Sequence, residues 1–113
     1  MAAVATIVAS AARTATGNSG AVQADISSRN LSVLVNVTAQ SGTTPTLDFS
    51  VQWSADGTNF ATPDGTADTI TQFAAATGLK VKLFTVKGRF YRVVWTVAGT
   101  TPSFTFTVDT LEN

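Results

Sequence analysis

Two stretches of this chain carry one pattern, and that pattern restricts the fold more than anything else in it. In each, alternating apolar residues run up to a Gly-Thr-Thr-Pro tetrapeptide and resume after it. The first has Leu31, Val33, Val35 and Val37 before Gly42–Pro45, and Leu47, Phe49, Val51 and Trp53 after it. The second has Tyr91, Val93, Trp95 and Val97 before Gly99–Pro102, and Phe104, Phe106 and Val108 after it. Period-two alternation in β-branched and aromatic residues marks half-buried strands. Gly and Pro in a short connection between such runs mark a hairpin. The expectation is therefore two hairpins, Leu31–Thr38 with Thr46–Ser54 and Phe90–Val97 with Phe104–Asp109. Two ribbons with apolar faces can cover each other as a two-sheet sandwich, whereas two units are too few for a solenoid.

The rest of the chain fits that frame. Its 113 residues suffice for one domain with one core. Val4–Ala12 reads as a first strand or an arm, and Ala21–Ile26 as a short strand with Val22, Ala24 and Ile26 on one face. Asp56-Gly57 is a strong turn signal, after which Phe60 returns to the core. Ile70–Ala75 is a short strand or a helical turn. Leu79–Val86 is a strand with Leu79 and Val81 on its core phase, and Val86–Arg89 a tight turn. The predicted fold is all-β: a single-domain two-sheet sandwich, Ig-like or jelly-roll, of seven to eight antiparallel strands. Residues 1–20 supply an N-terminal arm or edge strand plus loop, and residues 21–113 the sandwich. The opening MAAVATIVASAA is not read as a signal peptide, because no Lys or Arg precedes its apolar run and Thr6 and Ser10 interrupt it. It is also too short to span a bilayer.

The residue inventory narrows the chemistry. With no histidine and no cysteine, Ser–His and Cys–His nucleophilic schemes and zinc sites built from those ligands are excluded. A carboxylate pair remains formally open among Asp48, Asp56, Asp64 and Asp68, yet most of these sit in turn contexts. Asp56, Asp64 and Asp68 offer oxygens suited to calcium, but their spacing matches no EF-hand loop, and turn chemistry is the preferred reading. No glycine-rich loop leads from a strand into a helix to hold a phosphate. The expectation is no enzyme, no cofactor and no metal.

Charge placement says more. Charged residues are only 12% of the chain and the formal net charge is zero, which argues against nucleic acid as a partner. Five of the seven basic residues, Lys80, Lys82, Lys87, Arg89 and Arg92, lie in one stretch with no acid among them. Leu34, Phe84, Val86, Phe90 and Val94 put apolar groups on the phase expected to be wet, the mark of an interface. The candidate partner-binding residues are therefore Val4, Ile7 and Arg13 of the arm, Leu34 and Phe84, Asp56 and Asp64 in the loops, and Lys80, Lys82, Lys87, Arg89 and Arg92. The arm could lie on a neighbour or add a strand to a sheet edge.

The block LSVLVNVTAQSGTTPTLDFSVQWSADGTNF, followed by VKGRFYRVVWTVAGTTPSFTFTVD, resembles small structural proteins of tailed bacteriophages. The resemblance covers Arg13 to Asp109, and Gln52–Phe60 and Gly88–Arg92 are its most specific parts. It implies a virion component, foremost a head decoration (cement) protein on the capsid surface, made in the host bacterial cytoplasm. Its implied partners are the major capsid protein or other virion subunits, with self-association in the assembly and no membrane. A head–tail connector or tail protein is the alternative, and a carbohydrate-binding sandwich comes third, since Trp53 and Trp95 fall on the core phase.

Overall fold

A computed structural model describes Ala3–Asn113. The chain forms seven strands: β1 (Ala3–Arg13), β2 (Gly17–Asn18), β3 (Val22–Gln23), β4 (Asn30–Ser54), β5 (Asp68–Ala74), β6 (Gly78–Thr85) and β7 (Phe90–Glu112). All pairings are antiparallel and belong to one sheet. The all-β expectation holds, and among the described residues no helix is long and apolar enough to cross a membrane.

The two long strands are the frame. β4 pairs with β7 along its whole length, from Leu31↔Glu112 to Ser54↔Phe90. The ribbon folds over on itself. Val37 faces Phe106 and Phe49 faces Trp95 across the ladder. On a flat ribbon the roughly twelve residues from Val37 to Phe49 would span about 40 Å. Instead the Phe49 and Phe106 rings meet edge to face with centroids 5.0 Å apart. The first half of β4 and the second half of β7, flanked by β1 and β6, make one layer. The second half of β4 and the first half of β7, flanked by β5 and by β2 and β3, make the other.

The Gly-Thr-Thr-Pro tetrapeptides are therefore corners, not hairpin turns. Leu31–Thr38 and Thr46–Ser54 never pair with each other; both pair with β7. Alternation on both sides of a Gly/Pro break suits a strand that bends and continues as well as one that turns back, and only the distant partner decides between them. The repeat itself is real in three dimensions. Gly42 and Gly99 take φ of 115° and 119°, and Thr44 and Thr101 take 47° and 46°. The threonine hydroxyls donate to the preceding carbonyls, Thr43 O and Thr100 O, both at 2.8 Å. The ladder shifts register around Thr43, so Pro45, which lacks an N–H, sits in a gap of the hydrogen-bond ladder.

The duplication extends beyond the corners. β1, β2–β3 and β4 form one half of the chain, and β5, β6 and β7 the other. In each half the outer strands pair with the long strand of the other half: β1, β2 and β3 with β7, and β5 and β6 with β4. The fold is thus two interlocked copies of one outer–outer–long unit.

The core lies between the layers. Leu31, Val33, Val35, Val37, Leu47, Phe49, Val51, Trp53, Tyr91, Val93, Trp95, Phe104, Phe106 and Val108 are all buried, as their alternation requires. Tyr91 Oη and Thr110 Oγ1 share a buried hydrogen bond of 2.9 Å across the layers, and burial raises the tyrosine pKa. The correction is β6. Its expected core residues Leu79 and Val81 are 62% and 65% exposed, and Phe84, expected outside, is buried. The opposite phase wins because β6 is an outer strand beside the open side of the sandwich. There a lysine stem can lie along apolar surface while its ammonium reaches the rim.

A methyl group on Gly42 would sit 2.7 Å from Thr101 O, and one on Gly99 would sit 2.9 Å from Thr44 O. Both residues also have positive φ. Gly42→Ala and Gly99→Ala should each destabilise the protein by about 2–4 kcal/mol. Chemical denaturation should show the two costs to be alike, since the corners are equivalent.

Candidate interaction face

The expected loop acids do not form a centre. Among the described residues no three His, Cys, Asp or Glu side chains cluster to hold a metal. Asp56 instead holds its own turn. Its Oδ1 accepts from Ser54 Oγ, Thr58 N and Asn59 N, all at 2.9 Å, and its Oδ2 from Asn59 Nδ2 at 2.7 Å. The backbone donors of Asn59 and Thr58 hold its carboxyl well below the usual carboxylate range. Asp68 Oδ2 accepts from Trp53 Nε1 at 2.8 Å and pairs with Lys87 at 2.9 Å. Asp48 accepts from Gln72, while Asp64 is exposed.

The basic stretch is also largely spent within the molecule. Lys80 lies over the Phe73 ring at 4.1 Å, and its ammonium donates to Thr71 O at 2.7 Å and Gln72 O at 2.9 Å. Lys82 donates to Thr69 O at 2.9 Å. These two side chains of β6 thereby cap carbonyls of β5 across the open side of the sandwich. Arg92 donates from Nε to Gln52 Oε1 at 2.8 Å and lies 4.6 Å over Phe60. Arg89 faces the Gln23 amide. Arg13 stacks 5.0 Å from Trp95 and donates to Ala9 O at 3.0 Å.

What remains open is the outer face of the first layer. With Lys80, Lys82 and Phe84 turned inward, Leu79, Val81 and Leu83 stand on the outside in a row, each at least 60% exposed. The register sets this row beside Asn36, Leu34 and Ser32 of β4. Next across come Thr107, Asp109 and Leu111 of β7, then Thr6 and Val4 of β1. Val4, Leu34, Val81 and Leu111 line a groove of about 310 Å³ on this face, with Ser32 and Asp109 beside them. Asp109 Oδ1 is buried there and accepts no hydrogen bond among the described residues.

Of the residues expected to bind partners, Val4 and Leu34 share this face. Ile7 packs against the core and Phe84 lies inside it, which also removes Phe84 as an exposed platform for a sugar. Asp56 and Asp64 are in loops at a distance in sequence from the face, and the cations are committed as described. Leu83, Leu111 and Asp109 escaped the sequence reading, and Leu79 and Val81 were assigned to the core. One signal was available: Lys-x-Lys-x-Phe reads equally well as an inward phase once β6 is known to be an outer strand.

No protein-family model matches the chain, and no curated protein matches it. Among solved structures it is similar to a chain described under the words "Bacillus endospore appendages form a novel family of disulfide-linked pili". The match has 20% identity and a TM-score of 0.42 and covers 99% of this chain and 85% of that one.

The Asp56 turn gives a pH test with a definite sign. Its carboxyl pKa is depressed in the folded state, so its stabilisation is present above the ordinary carboxylate pKa. It is lost as pH falls through the lower folded value. The stability gap between the parent and Asp56→Ala should be flat above about pH 5 and shrink below about pH 4, as read by urea midpoints across pH.

Proposed function

We propose that the protein is a structural and binding module, not an enzyme, and that it enters a larger protein assembly through the outer face of its first layer. One observation carries this reading. Leu79, Val81 and Leu83 stand exposed together on a molecule whose core is otherwise complete. A contiguous apolar patch on a well-packed domain marks a contact surface. Four strands spaced about 4.8 Å apart and roughly 30 Å long present on the order of 600 Å². That is comparable with the ~800 Å² per partner of a standard interface.

Asp109 adds selectivity. Its Oδ1 is already buried without a donor among the described residues of the free chain, so a partner that brings a donor to it is favoured over one that brings only apolar groups. Two copies meeting face to face about a central two-fold axis would instead bring their Asp109 carboxylates together.

The specific setting we propose is the head of a tailed bacteriophage, with the protein as a decoration subunit on the major capsid protein. The sequence resemblance supports it. A small subunit that binds only the assembled shell stabilises it by mass action.

Val81→Asp should leave the isolated protein within about 1 kcal/mol of the parent, since the position is exposed. It should abolish co-sedimentation with particles. Particles lacking the protein should lose infectivity at lower temperature than complete ones. Retained binding of the variant would overturn the face, and unchanged heat resistance would overturn the decoration role.

A further inference from the structure

We propose that copies of this protein join side by side through antiparallel pairing of β1 of one copy with β6 of the next. The inference rests on the reading of an assembly protein and names how its own copies meet. The argument begins with the edges, because an unpaired strand edge is a template for another chain unless something blunts it. The folded sheet has four lateral edges. At the edge formed by β2 and β3, each piece is only two residues long. At β5 the carbonyls of Thr69, Thr71 and Gln72 already accept from Lys82 and Lys80. Those two edges belong to the second layer, and both are closed to strand addition.

The first layer keeps its edges. Its strand order is β1, β7, β4, β6, so β1 and β6 are its two margins. β1 has neither Gly nor Pro, and it carries no charge before Arg13. Arg13 occupies Ala9 O, and register shifts begin after Thr6, which leaves Ala3–Thr6 as its regular part, uncapped among the described residues. On β6, Lys87 occupies Thr85 O. Among the described residues, Leu79–Leu83 have no backbone hydrogen bond beyond the ladder with β4. Each margin thus offers a free run of four to five residues.

Direction then selects the match. Three successive antiparallel steps across the layer make β1 and β6 run in opposite directions. A second copy set alongside in the same orientation therefore presents its β1 antiparallel to the first copy's β6. Pleat alternation carries across such a junction, so Val4 and Thr6 would stand beside Leu79, Val81 and Leu83 on the outer face. The apolar face would continue from copy to copy. The contact joins two different margins, so it is heterologous and leaves a free β1 and a free β6 at the ends for further addition.

The chain has no cysteine, so engineered thiols report this contact without background. Thr6→Cys would be mixed in equal amount with Leu79→Cys, Val81→Cys or Leu83→Cys at high protein concentration, oxidised, and the dimers assigned by intact mass. Random pairing yields about twice as much mixed dimer as either homodimer; strand pairing in a fixed register should raise the mixed species several-fold above that in one of the three mixtures. Mixed dimers at or below the random share in all three mixtures would overturn the inference. So would predominance of the Thr6→Cys homodimer, which would mean that β1 pairs with itself. The two proposals fail separately. Loss of particle binding in Val81→Asp without mixed dimers keeps the face and removes the edge contact. Mixed dimers with unaffected Val81→Asp binding do the reverse.

Discussion

The ladder between β4 and β7 holds everything else in position, because each strand belongs to both layers. In a sandwich of separate sheets, only side chains resist sliding of one layer over the other. Here the hydrogen-bonded ladder itself passes from layer to layer, through Gly42–Pro45 in β4 and Gly99–Pro102 in β7, and the two crossings touch. Gly42 lies against Thr101 and Pro102, and Gly99 against Thr44 and Pro45. The contact between layers is thereby set by covalent continuity. The ring contacts of Phe106 with Phe49 and with Trp95, at 5.0 Å and 5.3 Å, follow from it.

Most of the core was legible from alternation alone, since a strand with one dry face must place every second residue inside. Leu31–Val37, Leu47–Trp53, Tyr91–Trp95 and Phe104–Val108 all obey this. Which strand lay next to which was not legible. Period two fixes the face of each residue but contains no term for its neighbour across the ladder. A bend and a hairpin use the same Gly and Pro, so the two corners were read as turns. The second failure has a different origin. In β6 both phases are self-consistent: one holds Leu79, Val81 and Leu83, the other Lys80, Lys82 and Phe84. Hydrophobicity favours the first. The second wins because the strand is marginal, Phe84 fills the interior, and lysine ammoniums there find β5 carbonyls. Part of the candidate face is hidden for the same reason, since alternation counts Leu79 and Val81 as core.

A chain with few charges uses them sparingly. Asp56 organises a turn, Asp68 ties Trp53 to Lys87, and Lys80 and Lys82 close one side of the sandwich. On the outer face of the first layer, Leu79, Val81, Leu83, Leu34, Leu111 and Val4 stand among Ser32, Asn36, Thr107 and Thr6, with Asp109 set within them.

The interlocking of the two halves has a consequence for synthesis. β1 precedes every other strand in the chain, yet within the chain it pairs only with β7, with Ala3 opposite Glu112. No strand of the first half finds its ladder partner until the second half has been made. Folding must therefore wait until β7 has been made, and it then proceeds through contacts remote in sequence, the slow class. During that wait the uncharged stretch of β1 is an unpaired apolar strand, and a newly made chain is most exposed to sticking to its neighbours just before its last strand arrives.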